Sequence, residues 1–158
     1  MLSYRKPNKS DCLLYFDWAN DLSVRKQSFD SDLINLENHK QWFTAKIKDE
    51  TCFMLLFQNE QNCYIGQTRI QKENNNEALI GISIDKEFRG NGYASEMLQI
   101  STKYFFKEHE NFIVNALIKK ENSNSKYAFE KAGFKYHSEL RHKNIESFLY
   151  RKVRDENR

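Results

Sequence analysis

The residues whose types and spacing most clearly offer chemistry are RGNGYASEML, residues 89–98. Gly90 and Gly92 fall between a run of alternating isoleucines and a segment of helical periodicity. A helix start leaves about four backbone N–H groups unpaired and carries a partial positive charge, so a loop without side chains at that point can cradle an anion. Two glycines can equally serve only a tight strand-to-helix turn. A phosphate loop of the form GxxxxGK[ST] is absent. A dinucleotide fingerprint fits poorly: Ser95 occupies the third small position, and three consecutive strands precede the loop where a strand–helix–strand unit should begin. Cys12, Cys52 and Cys63 are odd in number, lack CxxC spacing and have no paired histidines nearby. Neither a disulfide framework nor a metal site is expected, and the cysteines read as reduced, mostly buried thiols.

The elements that must position the loop follow from periodicity. Residues 78–84 (ALIGISI) alternate, with Ile80, Ile82 and Ile84 on one face and Leu79, Gly81 and Ser83 on the other. Residues 52–57 and 63–70 read as two preceding strands, and Asn74, Asn75 and Asn76 as the hairpin loop before the third, because asparagine tolerates the left-handed backbone of such turns. After the loop, Ala94, Met97, Leu98, Ser101 and Phe105 trace one helical face ending near Glu108 and His109. Residues 112–118 form a strand, Asn122 or Asn124 caps a short helix through Ala132, and Gly133 suits a left-handed C-terminal position. Two more strands fall near 134–140 and 146–152. Upstream, a helix follows Ser10 or Asp11, and residues 37–48 form another with Trp42, Phe43 and Ile47 on one side. This order predicts a mixed-sheet α/β protein.

At 158 residues, 39% hydrophobic and 30% charged, the chain is expected to form one domain spanning 1–158. It has no apolar run long enough for a membrane span and no signal-peptide pattern, so a soluble, cytoplasmic protein without a membrane partner is expected. The +3 charge comes from 25 basic and 22 acidic residues spread along the chain, which is only weak evidence for a nucleic-acid partner and mild evidence for an anionic ligand, so no nucleic acid is expected.

Residues 89–94, RGNGYA, resemble the R/Q-x-x-G-x-G/A acetyl-CoA signature of the GNAT superfamily of N-acetyltransferases. Downstream, NSNSKYAFEKAGF, residues 122–134, is similar to that family's N-x-x-A/S-x-x-x-Y/F-E-K-x-G-F segment. The resemblance implies a mixed, mostly antiparallel sheet splayed around acetyl-CoA, with flanking helices and no metal. Backbone groups of Ile82, Ser83 and Ile84 would then hold pantetheine, and Arg89, Gly90, Asn91, Gly92, Tyr93 and Ala94 the pyrophosphate. Asn122 would hydrogen-bond the cofactor near the thioester, with Ser125 and Lys126 near its tail, although a helix cap explains Asn122 equally well.

The implied reaction is direct attack of an amine on the thioester, with no role for the cysteines. Many family members carry a tyrosine acid where this chain has Phe129, so Tyr127 or a water is the substitute. Glu77 matches a region where several relatives place a base, and His39 lies in a helix that lines the acceptor site; solvation and packing are their alternative readings. Trp18, Asn20, Val24 and Arg25, then His39, Trp42 and Phe43, then Gly66, Gln67 and Arg69 resemble enzymes that acetylate nucleotide-linked amino-deoxy sugars. Trp18, Asn20, Arg25, Trp42, Gln67 and Arg69 are accordingly the candidate acceptor contacts: aromatic faces for sugar or base, arginines for a diphosphate. The aromatics also suit a core. Alternatives are a peptide or ribosomal-protein amine acetyltransferase and a non-catalytic acyl-CoA-binding domain. A homodimer is compatible with the resemblance.

Overall fold

The alternating runs do form strands, and the computed structural model describes residues 1–155. In chain order the elements are β1 (Ser3–Arg5), α1 (Cys12–Ala19), α2 (Leu22–Gln27), α3 (Leu36–Lys48), β2 (Cys52–Gln58), β3 (Tyr64–Lys72), β4 (Glu77–Ile84), α4 (Tyr93–Phe106), β5 (Ile113–Lys119), α5 (Ser123–Lys131), β6 (Lys135–His142) and β7 (Ile145–Lys152). The strands make one seven-stranded sheet in the order β1-β2-β3-β4-β5-β7-β6. Every neighbouring pair is antiparallel except β4 and β5.

That parallel pair is the feature on which the site depends. Its register holds only across Glu77 and Ile113, Ala78 and Val114, and Leu79 and Asn115. Beyond these residues β4 continues to Ile84 and β5 to Lys119 without pairing to each other. The sheet is therefore splayed at its centre, and β4 has an unpaired edge there. On their other sides β4 stays paired to β3 and β5 to β7, so the gap is held open by two intact ladders.

Strand alternation sends successive side chains to opposite faces. Ile70, Ala78, Ile80, Val114, Ala116 and Ile118 pack with Leu98, Phe105 and Phe129 in the core under α4 and α5. Met54 and Leu56 pack on the opposite face against Tyr15, Trp18 and Phe43 of α1 and α3. The register then puts Gln67, Arg69, Gly81, Ser83 and Asn115 on the α1–α3 face. Thr68 points the other way, and its hydroxyl oxygen lies 2.6 Å from Ser101 Oγ of α4 in a buried polar link.

Several local expectations are corrected. β1 and α2 have no counterpart in the periodicity reading: one is three residues long and the other six, too short to display a period. Asn122, not Asn124, caps α5. The hairpin before β4 is stabilised by Asn74 Oδ1 accepting from the amides of Asn76 and Glu77, and none of the three asparagines there has positive φ. Cys63 is exposed, contrary to the buried reading, because it lies beside the β2–β3 turn. Among the described residues, no helix is long and apolar enough to cross a membrane, and no group of three His, Cys, Asp or Glu residues could hold a metal ion.

Candidate active site

The C-terminal ends of β4 and β5 each lead into a helix, so the mouth of the gap is flanked by the N-termini of α4 and α5. Gly90 has φ 80° and Gly92 φ 77°, and Gly92 is the N-cap of α4 with no side-chain cap. A Cβ at either glycine would meet nothing within 4 Å. The left-handed backbone, rather than crowding, is therefore what calls for glycine, and the space over the loop is open. The α4 amides consequently face a cradle of anion-binding character. The side chains of the loop brace it from behind: Arg89 Nε donates to Ile84 O at 3.0 Å, and Asn91 Nδ2 to Phe88 O at 3.1 Å. Across the mouth, Asn122 Oδ1 accepts from the Ser125 amide at 3.2 Å while its Nδ2 donates to Ser125 Oγ at 2.8 Å.

On the acceptor side, several predicted contacts are already occupied. Trp18 is buried, with Nε1 donating to Asp85 Oδ2 at 2.9 Å, so it ties α1 to the turn after β4. Asn20 clasps both backbone groups of Ile34. Arg25 donates to the carbonyls of Ala19 (2.6 Å), Asp30 (2.9 Å) and Asp32 (3.2 Å) and to Ser28 Oγ (3.1 Å). It folds the α1–α3 connection and has no fork left for a diphosphate. His39 is buried in a stack with Phe43, its Nε2 2.9 Å from the Cys12 carbonyl. Burial holds its pKa below the ordinary value against that hydrogen bond, and packing accounts for the residue. Tyr127 is 59% exposed on α5, and Phe129 is buried edge-on to Phe134.

Glu77 lies on the acceptor face two residues before the last β4–β5 pair. Asn115 Nδ2 donates to its Oε1 at 2.9 Å, Arg151 Nη2 approaches the same oxygen at 3.4 Å, and Arg151 Nε donates to Asn115 Oδ1 at 3.0 Å. The Asn115 bond holds the carboxyl below its ordinary value; burial opposes this and Arg151 reinforces it. Nearer the mouth, Gln67 Nε2 donates to Ser83 Oγ at 2.8 Å, while Gln67 Oε1 is buried without a partner. The Arg69 guanidinium carbon lies 5.0 Å from the Trp42 ring centroid. Gly66 permits this close joining of β3 to β4, since a Cβ there would collide with the Ser83 carbonyl.

The structure thus brings together Gln67, Arg69, Trp42 and Ser83 on one face with the glycine loop at its end, leaves Glu77 on the same face at the far end of β4, and withdraws Trp18, Asn20, Arg25 and His39 into the scaffold. Asp21, Asp85, Asn115 and Arg151 escaped the sequence reading. Asparagine inside the otherwise apolar run FIVNALI was a usable signal for Asn115.

Residues 2–135 match the family model described as an acetyltransferase (GNAT) domain. Comparison with curated proteins gives no match. Among solved structures, the chain is similar to spermidine N-acetyltransferase from Vibrio cholerae in complex with CoA and spermine, with TM-score 0.87, 16% identity, and 96% and 95% of the two chains covered. A GNAT-family acetyltransferase from Bacillus anthracis gives TM-score 0.82 at 21% identity over 96% and 94%. Aminoglycoside acetyltransferase AAC(6')-Ib in complex with coenzyme A and kanamycin gives 0.83 at 12% identity over 98% and 95%. At these identities the likeness is one of fold.

Proposed function

The chain belongs to the GNAT family of acetyltransferases, and on that premise we propose that it transfers the acetyl group of acetyl-CoA to a primary amine of a small molecule. The observation that carries this reading is the splay itself: an unpaired β4 edge ending in an uncapped helix start with left-handed glycines. Backbone groups of Ile82, Ser83 and Ile84 offer an extended chain the pairing that β5 does not supply. The amides of Gly90, Asn91, Gly92, Tyr93 and Ala94 suit a pyrophosphate. Arg89 acts through the loop's shape, because its guanidinium is engaged with Ile84 and Asp21. Asn122 and Ser125 border the gap from α5.

Acetyl-CoA supplies an acyl carbon activated as a thioester. In the net transfer the amine nitrogen bonds to that carbon, the carbon–sulfur bond breaks with its electron pair on sulfur, and one amine proton is released. The protein's part is to orient the amine and accept its hydrogens. Gln67 Oε1, an acceptor with no partner beside the mouth of the gap, suits an amine hydrogen. Glu77, the base that the family resemblance suggests, is engaged by Asn115 and Arg151 and lies six residues before Ser83 on β4, about 20 Å along the strand from Gln67, so it would take the proton only through intervening solvent. Its depressed pKa makes it a weak base, so the amine must reach the site largely neutral. His39 and Tyr127 are given no proton-transfer role in this reading. A nucleotide-linked amino sugar keeps Trp42 and Arg69 as contacts and loses Arg25.

One observation favours a second reading, binding without transfer: Phe129 puts no hydroxyl where many relatives carry one, and its ring is buried. Calorimetric titration of acetyl-CoA tests the cofactor assignment shared by both. Gly92→Asn tolerates the left-handed backbone yet puts a side chain into the cradle, and Gly92→Val adds backbone strain. Both variants should lose at least about ten-fold in affinity, equivalent to 1.4 kcal/mol. Unchanged affinity in a folded Gly92→Asn protein would refute the cradle.

A further inference from the structure

Among the described residues, Arg69 is the one partly buried arginine of the acceptor layer whose side chain has no hydrogen-bonding partner. Arg5, Arg25 and Arg151 are similarly sheltered, and each donates to a carboxylate, a carbonyl or an amide oxygen. Among the described residues, Arg69 has only the Trp42 ring. Burial pushes its guanidinium down from the ordinary value, and no carboxylate offsets that effect. Tyr15 packs in the cluster that holds Met54, the β2 partner of Arg69, and its hydroxyl is buried without a hydrogen-bonding partner. Burial raises the Tyr15 pKa strongly and the Asp11 charge adds to the rise, while the Arg5 and Arg69 charges work against it. Two donors of this layer therefore lack an acceptor, and one of them carries a charge. Such groups are costly unless an acceptor, preferably an anion, reaches them.

The surroundings give this deficit a direction. Arg69 is directly opposite Gly81 on β4, where a Cβ would meet nothing within 4 Å. The floor between Arg69 and the splayed edge is thus open. Gln67, two residues away on the same strand face and about 7 Å along it, has the complementary deficit: a buried oxygen with no donor. A ligand that satisfies both would offer N–H groups at the mouth of the gap and negative oxygens farther in.

We propose that the acetyl acceptor is an anionic amine, a primary amine whose carboxylate or phosphate is bound by Arg69 with the Tyr15 hydroxyl while the nitrogen is presented beside Gln67 Oε1. This rests on the transferase reading above and names the acceptor class for it. A polycation such as spermidine or kanamycin would instead bring like charge toward an unpaired guanidinium. Arg69 is suited to the task because a planar fork grips a carboxylate or phosphate with two parallel bonds, which lysine cannot reproduce.

The test uses matched acceptors with the purified full chain: glucosamine against glucosamine 6-phosphate, putrescine against 4-aminobutyrate, and spermidine and kanamycin alongside. The phosphate and carboxylate arms separate the two sources of negative charge. The expected result is at least a ten-fold advantage in kcat/KM for an anionic member over its partner. Arg69→Met should bring that ratio close to one, chiefly through KM, and Arg69→Lys should fall between. Acetyl-CoA affinity by calorimetry should be unchanged in both variants, and the melting temperature of Arg69→Met should be equal or higher, because an unpaired sheltered charge has been removed. Preference for the neutral or polycationic acceptors, an undiminished ratio in Arg69→Met, or a lower melting temperature in that variant would overturn the proposal. So would a protein that binds acetyl-CoA but acetylates neither anionic amine. A wild-type protein that does not bind acetyl-CoA would remove the transferase reading itself, and this proposal with it.

Discussion

Arg89 Nη2 donates to Asp21 Oδ1 at 3.0 Å, joining the first residue of the glycine loop to the N-cap of α2. The same Asp21 oxygen accepts from the amides of Ser23 and Val24. One carboxylate therefore starts a helix of the acceptor side and braces the cofactor loop. With Trp18 bound to Asp85, it is the second tether between the α1–α2 segment and the turn after β4. Acceptor and cofactor surfaces are consequently positioned by common residues.

Asp21→Ala removes both the cap and the ion pair, whereas Asp21→Ser keeps a capping oxygen and loses the charge. Loss of an N-cap costs about 1 kcal/mol, and a partly exposed ion pair contributes about 0.2–1 kcal/mol. Urea unfolding should therefore rank wild type above Asp21→Ser above Asp21→Ala. Acetyl-CoA affinity should fall by a similar factor in both variants, because both release Arg89. Equal stability of the two variants would show that the cap contributes nothing.

Stability should fall on acidification below about pH 4, the ordinary aspartate range. Burial pushes the Asp11 carboxyl up, but the Arg5 guanidinium and the Asn8 amide outweigh it and leave the group below its ordinary value. Asp21 is governed in the same way, with burial opposed by Arg89 and by the Val24 and Ser23 amides. Groups with depressed folded-state pKa values stabilise the fold above their unfolded pKa and lose that effect as pH falls through the folded one. Thermal melts between pH 7 and pH 3 should show this acid limb, shallower in Asp21→Asn than in wild type. A limb of identical slope in the variant would count against the Asp21 contribution.

The parts of this molecule that were legible in the sequence are those where a single local rule decides. The alternation in ALIGISI, the helical face from Ala94 to Phe105 and the glycines between them fix β4, the loop and α4 with little outside help. The acceptor residues were less legible because their roles depend on partners distant in sequence. Arg25 and Arg69 are the same residue type in similarly suggestive motifs, yet one is consumed by three carbonyls close to it in the chain and the other has only a ring against it. Nothing in either local stretch distinguishes them. Glu77 likewise reads as a solvated loop residue until the sheet brings Asn115 and Arg151 to it from β5 and β7. The unpaired β4 edge is a property of the whole sheet, since it exists only because β5, paired to β7 along its length, diverges from β4 after three shared positions.

Direct transfer of the acetyl group to an amine, without a covalent acyl-enzyme, is tested by thiol release in a cysteine-free protein. A variant with Cys12, Cys52 and Cys63 all replaced by serine is incubated with acetyl-CoA, with and without a panel of small primary amines. Thiol release is followed continuously, and the amine products are analysed by mass spectrometry. The three cysteines are two half-buried thiols and one exposed, none of them in the β4–β5 gap, so direct transfer requires none of them. Direct transfer requires thiol release that depends on an added amine, matched by an equal amount of acetylated amine, at a rate like that of the unmodified protein. Release that proceeds equally without any amine, or that disappears with the cysteines while acetyl-CoA binding persists, would contradict it.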